Sequence, residues 1–307
     1  MPRALRTEYE GAIYHVMNRG DRREPIYLGD ADRVLFLDTL TEACAKTDWQ
    51  VHAFCLMNNH FHLVIETPHA NLVYGMKWLL GTYTLRFNRR HQVTGHLFGG
   101  RYKALIIGGS SPGYLRTACD YVHLNPIRAG LIKTSSPLRT FVWSSFPEYL
   151  KAPSRRQPWL RVDRLLSECG CEDCPSGRRA FEQYLESRRL ERVPNNEWSV
   201  LCRGWFMGSE NMRKELLARR ADEVGQHHYG SERQEGGRYK AERLIMEELA
   251  HLGWTEASLT SCRKGDPRKV KIARRLRAET TVTLAWIAER LHMGAWTHVS
   301  NLLQKCR

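Results

Sequence analysis

Two hydrophobic periods alternate along the first 150 residues, which predicts a mixture of strands and helices. Runs with the apolar, aromatic and β-branched character of strands occupy residues 11–19, 49–57, 60–66 and 96–107. The pair Asn58-Asn59 separates the second and third runs and favours a tight hairpin turn between them.

Three helices are predicted between and after these strands. We expect the first to be capped by Asp30, and its apolar positions have helical spacing: Val34, Leu35, Leu37, Leu40 and Ala43. The second covers residues 70–91. The third begins near Pro112 and ends at about Asn125, because Pro126 opposes its continuation. This order predicts an α+β fold, an antiparallel sheet with helices on one face and the other face open to a ligand.

The rest of the chain is predicted to be mainly helical. Residues 151–160 are rich in Pro, Ser and Arg and resemble a linker, and the polar, Gly-rich stretch 225–238 resembles a second connection. We therefore predict three regions: a domain over 1–150, a helical linker region over 151–238 and a helix-turn-helix domain over 239–307.

The charge of the chain favours a polyanionic partner. The formal net charge is +14, and residues 262–307 alone carry +8, from 11 basic and 3 acidic side chains. Neutralised phosphates release counterions, so an excess of this size is typical of nucleic-acid binding, although a solvated basic surface is the simpler alternative. The sequence shows no run of about 18 apolar residues, no export signal and no paired cysteine spacing. We accordingly expect a cytoplasmic protein with reduced thiols.

Two histidines on the third strand are candidate metal ligands. Strand alternation places His60 and His62 on one face of the sheet with Glu66, and Phe61 on the helix-covered face. Adjacent imidazoles can chelate a divalent cation, but the bare pair is more often two hydrogen-bonded histidines. His60, His62 and Glu66 also have the ligand spacing of a cupin; the flanking glycines of cupins are missing and the long helices do not suit a jelly roll.

A candidate nucleophile lies about 60 residues downstream. Tyr121 and Asn125 have i, i+4 spacing, which stacks their side chains on one helix face. The phenol can then approach a phosphate held at a metal, while the carboxamide supplies a third ligand. A core tyrosine followed by a helix-ending asparagine is the alternative.

The two motifs together resemble the HUH single-tyrosine transposases, and among them the REP-associated tyrosine transposases. The likeness covers residues 5–150 and includes HVMNRG at 15–20, GRYKALII at 100–107 and VWSSFPEYL at 142–150. It implies a ferredoxin-like domain in which His60, His62 and Asn125 bind Mg²⁺ or Mn²⁺ and Tyr121 is the nucleophile.

The resemblance also implies an activity. Tyr121 would attack single-stranded DNA at hairpin-forming repeats, form a 5′-phosphotyrosyl link and free a 3′-OH, in a monomer or a homodimer. A non-catalytic DNA-binding regulator that keeps the fold is the alternative, and the role of Glu66 stays open.

Further DNA contacts are expected in two segments. The first mixes basic and aromatic residues, and its predicted DNA-facing members are Arg86, Arg89, Arg90, Arg101 and Lys103. The second has helix-turn-helix rhythm, and its recognition helix would expose Trp296, Thr297, His298 and Asn301. Arg19, Arg22 and Arg23 are weaker candidates. Cys169, Cys171 and Cys174 could bind zinc, although free thiols are the simpler expectation.

Overall fold

Four antiparallel strands and one short parallel strand form a single sheet in the computed structural model. The structure describes residues 7–109, 113–133, 135–189, 201, 204–223, 231–280 and 282–304. Within them the strands are β1 Ala12–Arg19, β2 Gln50–Leu56, β3 His60–Thr67, β4 Lys103–Ile107 and β5 Phe206–Met207. Their order is β2-β3-β1-β4-β5, and the first four strands have the ferredoxin-like arrangement that was predicted. The fifth pairs parallel with β4, inside a segment predicted as helical.

Helices α1 (Asp30–Thr47) and α2 (Leu72–His91) cover one face of the sheet. Phe36 of α1 is fully buried, with ring centres 5.0 Å from Phe61 of β3 and 5.1 Å from Tyr83 of α2. Phe61 therefore points into the helix-covered core, as strand alternation predicted. The details of α1 differ: its N-cap is Gly29 rather than Asp30, and Val34 is 49% exposed.

A third helix lies against the opposite face, where we predicted an open surface. Helix α3 (Tyr114–His123) is followed by the short helix α4 (Asn125–Arg128). The rings of Tyr121 and His62 are in edge contact, which places α3 on the histidine side of the sheet. The α+β class is confirmed, and the histidine face is partly covered. Pro112, the predicted start of α3, lies outside the described residues.

Helices α5 (Phe146–Tyr149), α6 (Asp163–Glu168) and α7 (Pro175–Arg188) complete the compact unit Glu8–Ser209. Two of them hold α3. Glu168 Oε2 accepts hydrogen bonds from the backbone N–H groups of Gly113 (3.2 Å) and Arg116 (3.0 Å). The Tyr184 hydroxyl donates to Asp120 Oδ2 at 2.5 Å. Acceptors at a helix N-terminus satisfy its unpaired N–H groups, so α6 fixes the start of α3.

The segment 151–160, predicted as a linker, packs against this unit. The side chain of Trp159 is buried, and its indole Nε1–H donates to Thr41 Oγ1 at 2.8 Å. Its carbonyl accepts from the N–H of Val51 in β2 at 2.9 Å. Because these groups are paired with the sheet and α1, the segment is part of the folded unit.

The second compact unit includes residues 210–307, and the regular elements of its described part are helices. Its helices are α8 Glu210–Glu223, α9 Ser231–Leu252, α10 Glu256–Ser261, α11 Pro267–Glu279, α12 Leu284–Arg290 and α13 Trp296–Gln304. Helix α9 begins inside the predicted connection 225–238. Ile287, Leu291 and Val299 are fully buried in one core, so α12 and α13 pack as the apolar spacing predicted. None of the described helices is long and apolar enough to cross a membrane.

Candidate active site

Strands β1 and β3 bring three histidines together on one face of the sheet. In the antiparallel register Arg19 lies opposite His60, and Met17 lies opposite His62. The ring centres of His60 and His62 are 5.0 Å apart, and the rings are nearly perpendicular. His15 stacks on His62, with ring centres 5.2 Å apart. The sequence pattern predicted the pair; the third histidine comes from strand pairing.

Each histidine of the pair has its Nδ1 atom engaged in a hydrogen bond. His60 Nδ1 lies 2.7 Å from Asn59 Oδ1, and His62 Nδ1 lies 2.9 Å from His15 Nε2. In each ring Nε2 is the remaining nitrogen. Outer partners of this kind fix the orientation of histidines that bind metals.

Burial keeps these imidazoles neutral near pH 7. It lowers the pKa of His15 to about 4, and burial together with the nearby positive charge of Arg19 lowers the pKa of His60 to about 4. Burial lowers the pKa of His62 well below its usual range, and the neighbouring His15 and His60 lower it further. Neutral imidazoles each retain a lone pair, which is the form that binds a cation.

Tyr121 reaches this cluster from α3. Its ring is edge-on to both His15 and His62, with ring centres 5.6 Å apart in each case, and the residue is 7% exposed. The guanidinium carbon of Arg128, the last residue of α4, lies 4.8 Å from the centre of the Tyr121 ring. The Tyr121 ring thus lies between the imidazoles of His15 and His62 and the guanidinium of Arg128.

These side chains line a cavity of about 430 Å³. Its lining residues are His15, Met17, Arg19, Met57, His60, His62, Lys103, Ala104, Leu105, Tyr121, Asn125, Arg128, Ala129, Leu201 and Gly204. Three of them, Arg19, Lys103 and Arg128, are cationic. The buried Nε of Arg19 has no hydrogen-bond partner among the described residues. A cavity with this lining suits an anionic ligand.

Asn125 adds a side-chain amide to the imidazoles of His60 and His62 that line the cavity. Asn125 lies in α4 rather than at the end of α3. Tyr121 and Asn125 therefore line the same cavity but do not belong to one continuous helix. Its side-chain Nδ2 is buried and has no hydrogen-bond partner among the described residues. The oxygen and nitrogen of a carboxamide are assigned from such partners, so the amide can turn its oxygen toward a cation. Two neutral imidazoles and one amide oxygen are suitable ligands.

Residues 8–125 match the family model described as "Transposase IS200 like". This segment, called the IS200-like segment below, is therefore similar to IS200-like transposases over 118 of the 307 residues. A solved structure of a REP-associated tyrosine transposase bound to a REP hairpin matches 50% of this chain and 87% of its own, at 14% identity and a TM-score of 0.40. No curated protein matches the chain.

The IS200-like segment contains the five basic residues predicted to face DNA, and the four arginines among them do not line the cavity. Arg86 forms a two-pronged ion pair with Glu42 of α1, at 2.7 and 3.0 Å. The Nε of Arg90 lies 3.4 Å from Asp32 Oδ1. Arg89 and Arg101 are exposed, and Lys103 lines the cavity. Arg86 and Arg90 therefore help to join α1 and α2, and Lys103 is the one of the five at the site.

The predicted contacts in the second unit are all on the surface. Trp296 is 56% exposed, and Thr297, His298 and Asn301 of α13 are also exposed. They share a helix whose other side is fixed by buried Val299.

Glu66 of the IS200-like segment does not line the cavity. It accepts hydrogen bonds from His52 Nε2 (2.9 Å), Arg164 Nη1 (2.9 Å) and Arg161 Nη1 (3.2 Å). Arg164 also donates to the carbonyl of Gly109 at 3.0 Å. The carboxylate therefore joins β3 to α6, and Arg164 in turn joins α6 to the segment before α3.

The cysteine cluster does not form a metal site within the part of the chain that is described. Cys174 Sγ caps α7 by accepting from the N–H of Gly177 at 3.3 Å, and Cys171 Sγ lies 3.6 Å from the carbonyl of Cys169. Burial raises the pKa of Cys169 to about 12. No group of three or more His, Cys, Asp or Glu side chains there could hold an ion.

Several cavity residues were not identified as site residues from the sequence. Strand alternation places His15 on the same face as His60 and His62, but only once β1 is known to lie beside β3. Arg128 follows Tyr121 by seven residues and is the last residue of the separate helix α4. It also lies beyond the part of the chain that matches the family model.

Proposed function

We propose that the Glu8–Ser209 unit is a metal-dependent endonuclease and strand transferase for single-stranded DNA. The observation that carries this proposal is the edge contact of the Tyr121 ring with His62, inside a cavity that also holds His60 and Asn125. A phenol beside a candidate metal site is the arrangement that nucleophilic attack on a bound phosphate needs.

His60, His62 and Asn125 would hold Mg²⁺ or Mn²⁺. When bound, such a cation polarises the scissile phosphate and stabilises the charge that develops on it. Arg19, Lys103 and Arg128 line the same cavity and supply positive charge for the phosphate oxygens. Because these three side chains are already in place before the reaction, they need no reorganisation when negative charge develops on the phosphate.

Tyr121 then acts as nucleophile. Its phenolic oxygen forms a bond to phosphorus, the bond from phosphorus to the 3′-oxygen breaks, and the phenolic proton is balanced by the proton gained on the 3′-hydroxyl. The product is a 5′-phosphotyrosyl link and a free 3′-OH. One phosphodiester is exchanged for another, so the reverse attack by a 3′-OH joins strands without ATP.

Hairpin-forming DNA repeats are the proposed substrate, and the second unit would add a double-stranded contact. Its α12 and α13 would act as a helix-turn-helix in which Trp296, Thr297, His298 and Asn301 face the major groove. The exposure of these four side chains and the +8 charge of residues 262–307 support this assignment.

A covalent adduct distinguishes this function from non-catalytic DNA binding. The protein is incubated with end-labelled, hairpin-flanked single-stranded DNA and Mn²⁺, and the products are separated on a denaturing gel. We expect a slowly migrating protein–DNA adduct from the wild type and none from Tyr121→Phe. If the wild type binds the DNA and forms no adduct, the result would contradict the catalytic proposal and support a DNA-binding regulator that retains the transposase fold.

A further inference from the structure

The side-chain amide of Asn59, in the hairpin turn before His60, makes a hydrogen bond with each of its two polar atoms. We propose that Asn59 is a positioning residue that holds His60 in its Nδ1–H tautomer, so that Nε2 carries the lone pair for the cation. This inference rests on the proposed metal-dependent function and assigns a role to a residue outside the ligand set.

The orientation of the Asn59 amide follows from its other contact. Its Nδ2 lies 2.8 Å from the backbone carbonyl of Arg23. A carbonyl only accepts hydrogen bonds, so the group facing Arg23 must be the NH₂. The group facing His60 is therefore the oxygen Oδ1, 2.7 Å from Nδ1.

An oxygen acceptor decides the tautomer of the imidazole. At 2.7 Å, a deprotonated Nδ1 would place its lone pair against those of Oδ1, so the proton belongs on Nδ1. A neutral imidazole carries a single proton, and the contact with Oδ1 places it on Nδ1. Nε2 is left with a lone pair.

His15 can serve His62 in the same way. Its Nε2 lies 2.9 Å from His62 Nδ1, and a donor at Nδ1 leaves Nε2 of His62 with the lone pair. Both histidines then offer Nε2 to a cation shared between them.

The backbone of the turn is held without the Asn59 side chain. The carbonyl of Asn59 accepts from the N–H of Gly20 at 2.8 Å, and the carbonyl of Asn58 accepts from the N–H of Ile26 at 3.2 Å. Asn58 Oδ1 separately accepts from Arg33 Nη2 at 3.0 Å. Asn59 can therefore be replaced with the turn retained, and Asn58→Ala is a matched control in the same turn.

The first test is the tautomer itself, measured on the full-length, metal-free protein. Nitrogen-15 NMR of the histidine rings distinguishes protonated from unprotonated Nδ1, and comparison with His60→Gln assigns the His60 signals. We expect Nδ1–H in the wild type and in Asn59→Asp, which keeps an oxygen acceptor, and a tautomer mixture in Asn59→Leu. A wild-type ring protonated at Nε2, or an unchanged spectrum in Asn59→Leu, overturns the proposal.

The second test is Mn²⁺ affinity by calorimetry at pH 8. Loss of an outer partner typically weakens metal binding about 10- to 100-fold, and we expect a loss in that range for Asn59→Leu. Asn59→Asp and Asn58→Ala should stay within a few-fold of the wild type, and an equal loss in Asn58→Ala overturns the assignment. A wild type with the predicted tautomer and no Mn²⁺ binding would support the positioning role and refute the metal-dependent function.

Discussion

The ring of Tyr121 on α3 stands edge-on to the ring of His62 on β3, with 5.6 Å between the ring centres. This contact joins two parts of the chain that are 59 residues apart. It exists because α3 lies against the histidine face of the sheet, held there by Glu168 of α6 and Tyr184 of α7.

Replacing either histidine by alanine should abolish cleavage and preserve hairpin binding. His60→Ala and His62→Ala each remove one of two imidazole ligands, while Arg19, Lys103 and Arg128 remain in the cavity. Adduct formation with Mn²⁺ and a gel-shift titration of hairpin DNA measure the two properties separately. Cleavage at the wild-type rate by either variant would contradict the proposed ligand set.

Replacing Arg128 should slow cleavage more than it weakens binding. Its guanidinium lies 4.8 Å from the Tyr121 ring centre, where it can stabilise charge on the reacting phosphate. We expect Arg128→Gln to lower the single-turnover rate on the order of 100-fold, the usual loss for one such donor. Arg155→Gln, an exposed arginine outside the cavity lining, is the control. Equal rates in the two variants would remove Arg128 from the mechanism.

Two glycines of α2 give a matched test of the packing. A Cβ on Gly75 would lie 2.1 Å from Cζ2 of Trp49, whereas one on Gly81 would meet nothing within 4 Å. Overpacking of a core costs about 1–3 kcal/mol, so Gly75→Ala should lower the free energy of unfolding by that amount. Gly81→Ala should raise it by up to about 1 kcal/mol, because alanine favours a helix. Urea denaturation measures both, and a stabilised Gly75→Ala would refute the close approach.

Glu66 should contribute a stability that disappears in acid. Burial by itself raises its pKa, but the hydrogen bond from His52 and the charges of His52, Arg164 and Arg161 outweigh it and lower the pKa from 4.5 to about 2. A carboxylate with a depressed folded-state pKa stabilises the fold fully above about pH 4.5, and this contribution is lost as the pH falls toward 2.

The variant Glu66→Gln isolates that contribution. The wild type should have the higher melting temperature at pH 6, and the difference should shrink between pH 4.5 and 2. A difference that stays constant over this range would contradict the assigned ion pairs.

Strand alternation was sufficient to place the histidine pair and Phe61 on opposite faces of the sheet. Both predictions depend on neighbours within a few residues of one another. The fold class was accessible for a similar reason, since the order of elements limits how an antiparallel sheet can pair.

The remaining features depend on contacts that are distant in sequence. Neither the partner of Arg86 nor the packing of Trp159 against Thr41 can be obtained from a local pattern. His15 reaches the site only because β1 pairs with β3. The amide of Asn59 is oriented only because it donates to the loop carbonyl of Arg23. Arg86, Arg89, Arg90 and Arg101 stay predictions as DNA contacts, away from the cavity.

The attachment site of the DNA tests the central claim most directly. After reaction with hairpin DNA and Mn²⁺, nuclease and trypsin digestion leave a nucleotide on the modified peptide, and tandem mass spectrometry locates it. We predict a 5′-phosphotyrosyl nucleotide on Tyr121. Attachment to another residue, or release of a free 5′-phosphate with no modified peptide at any time point, would contradict the account.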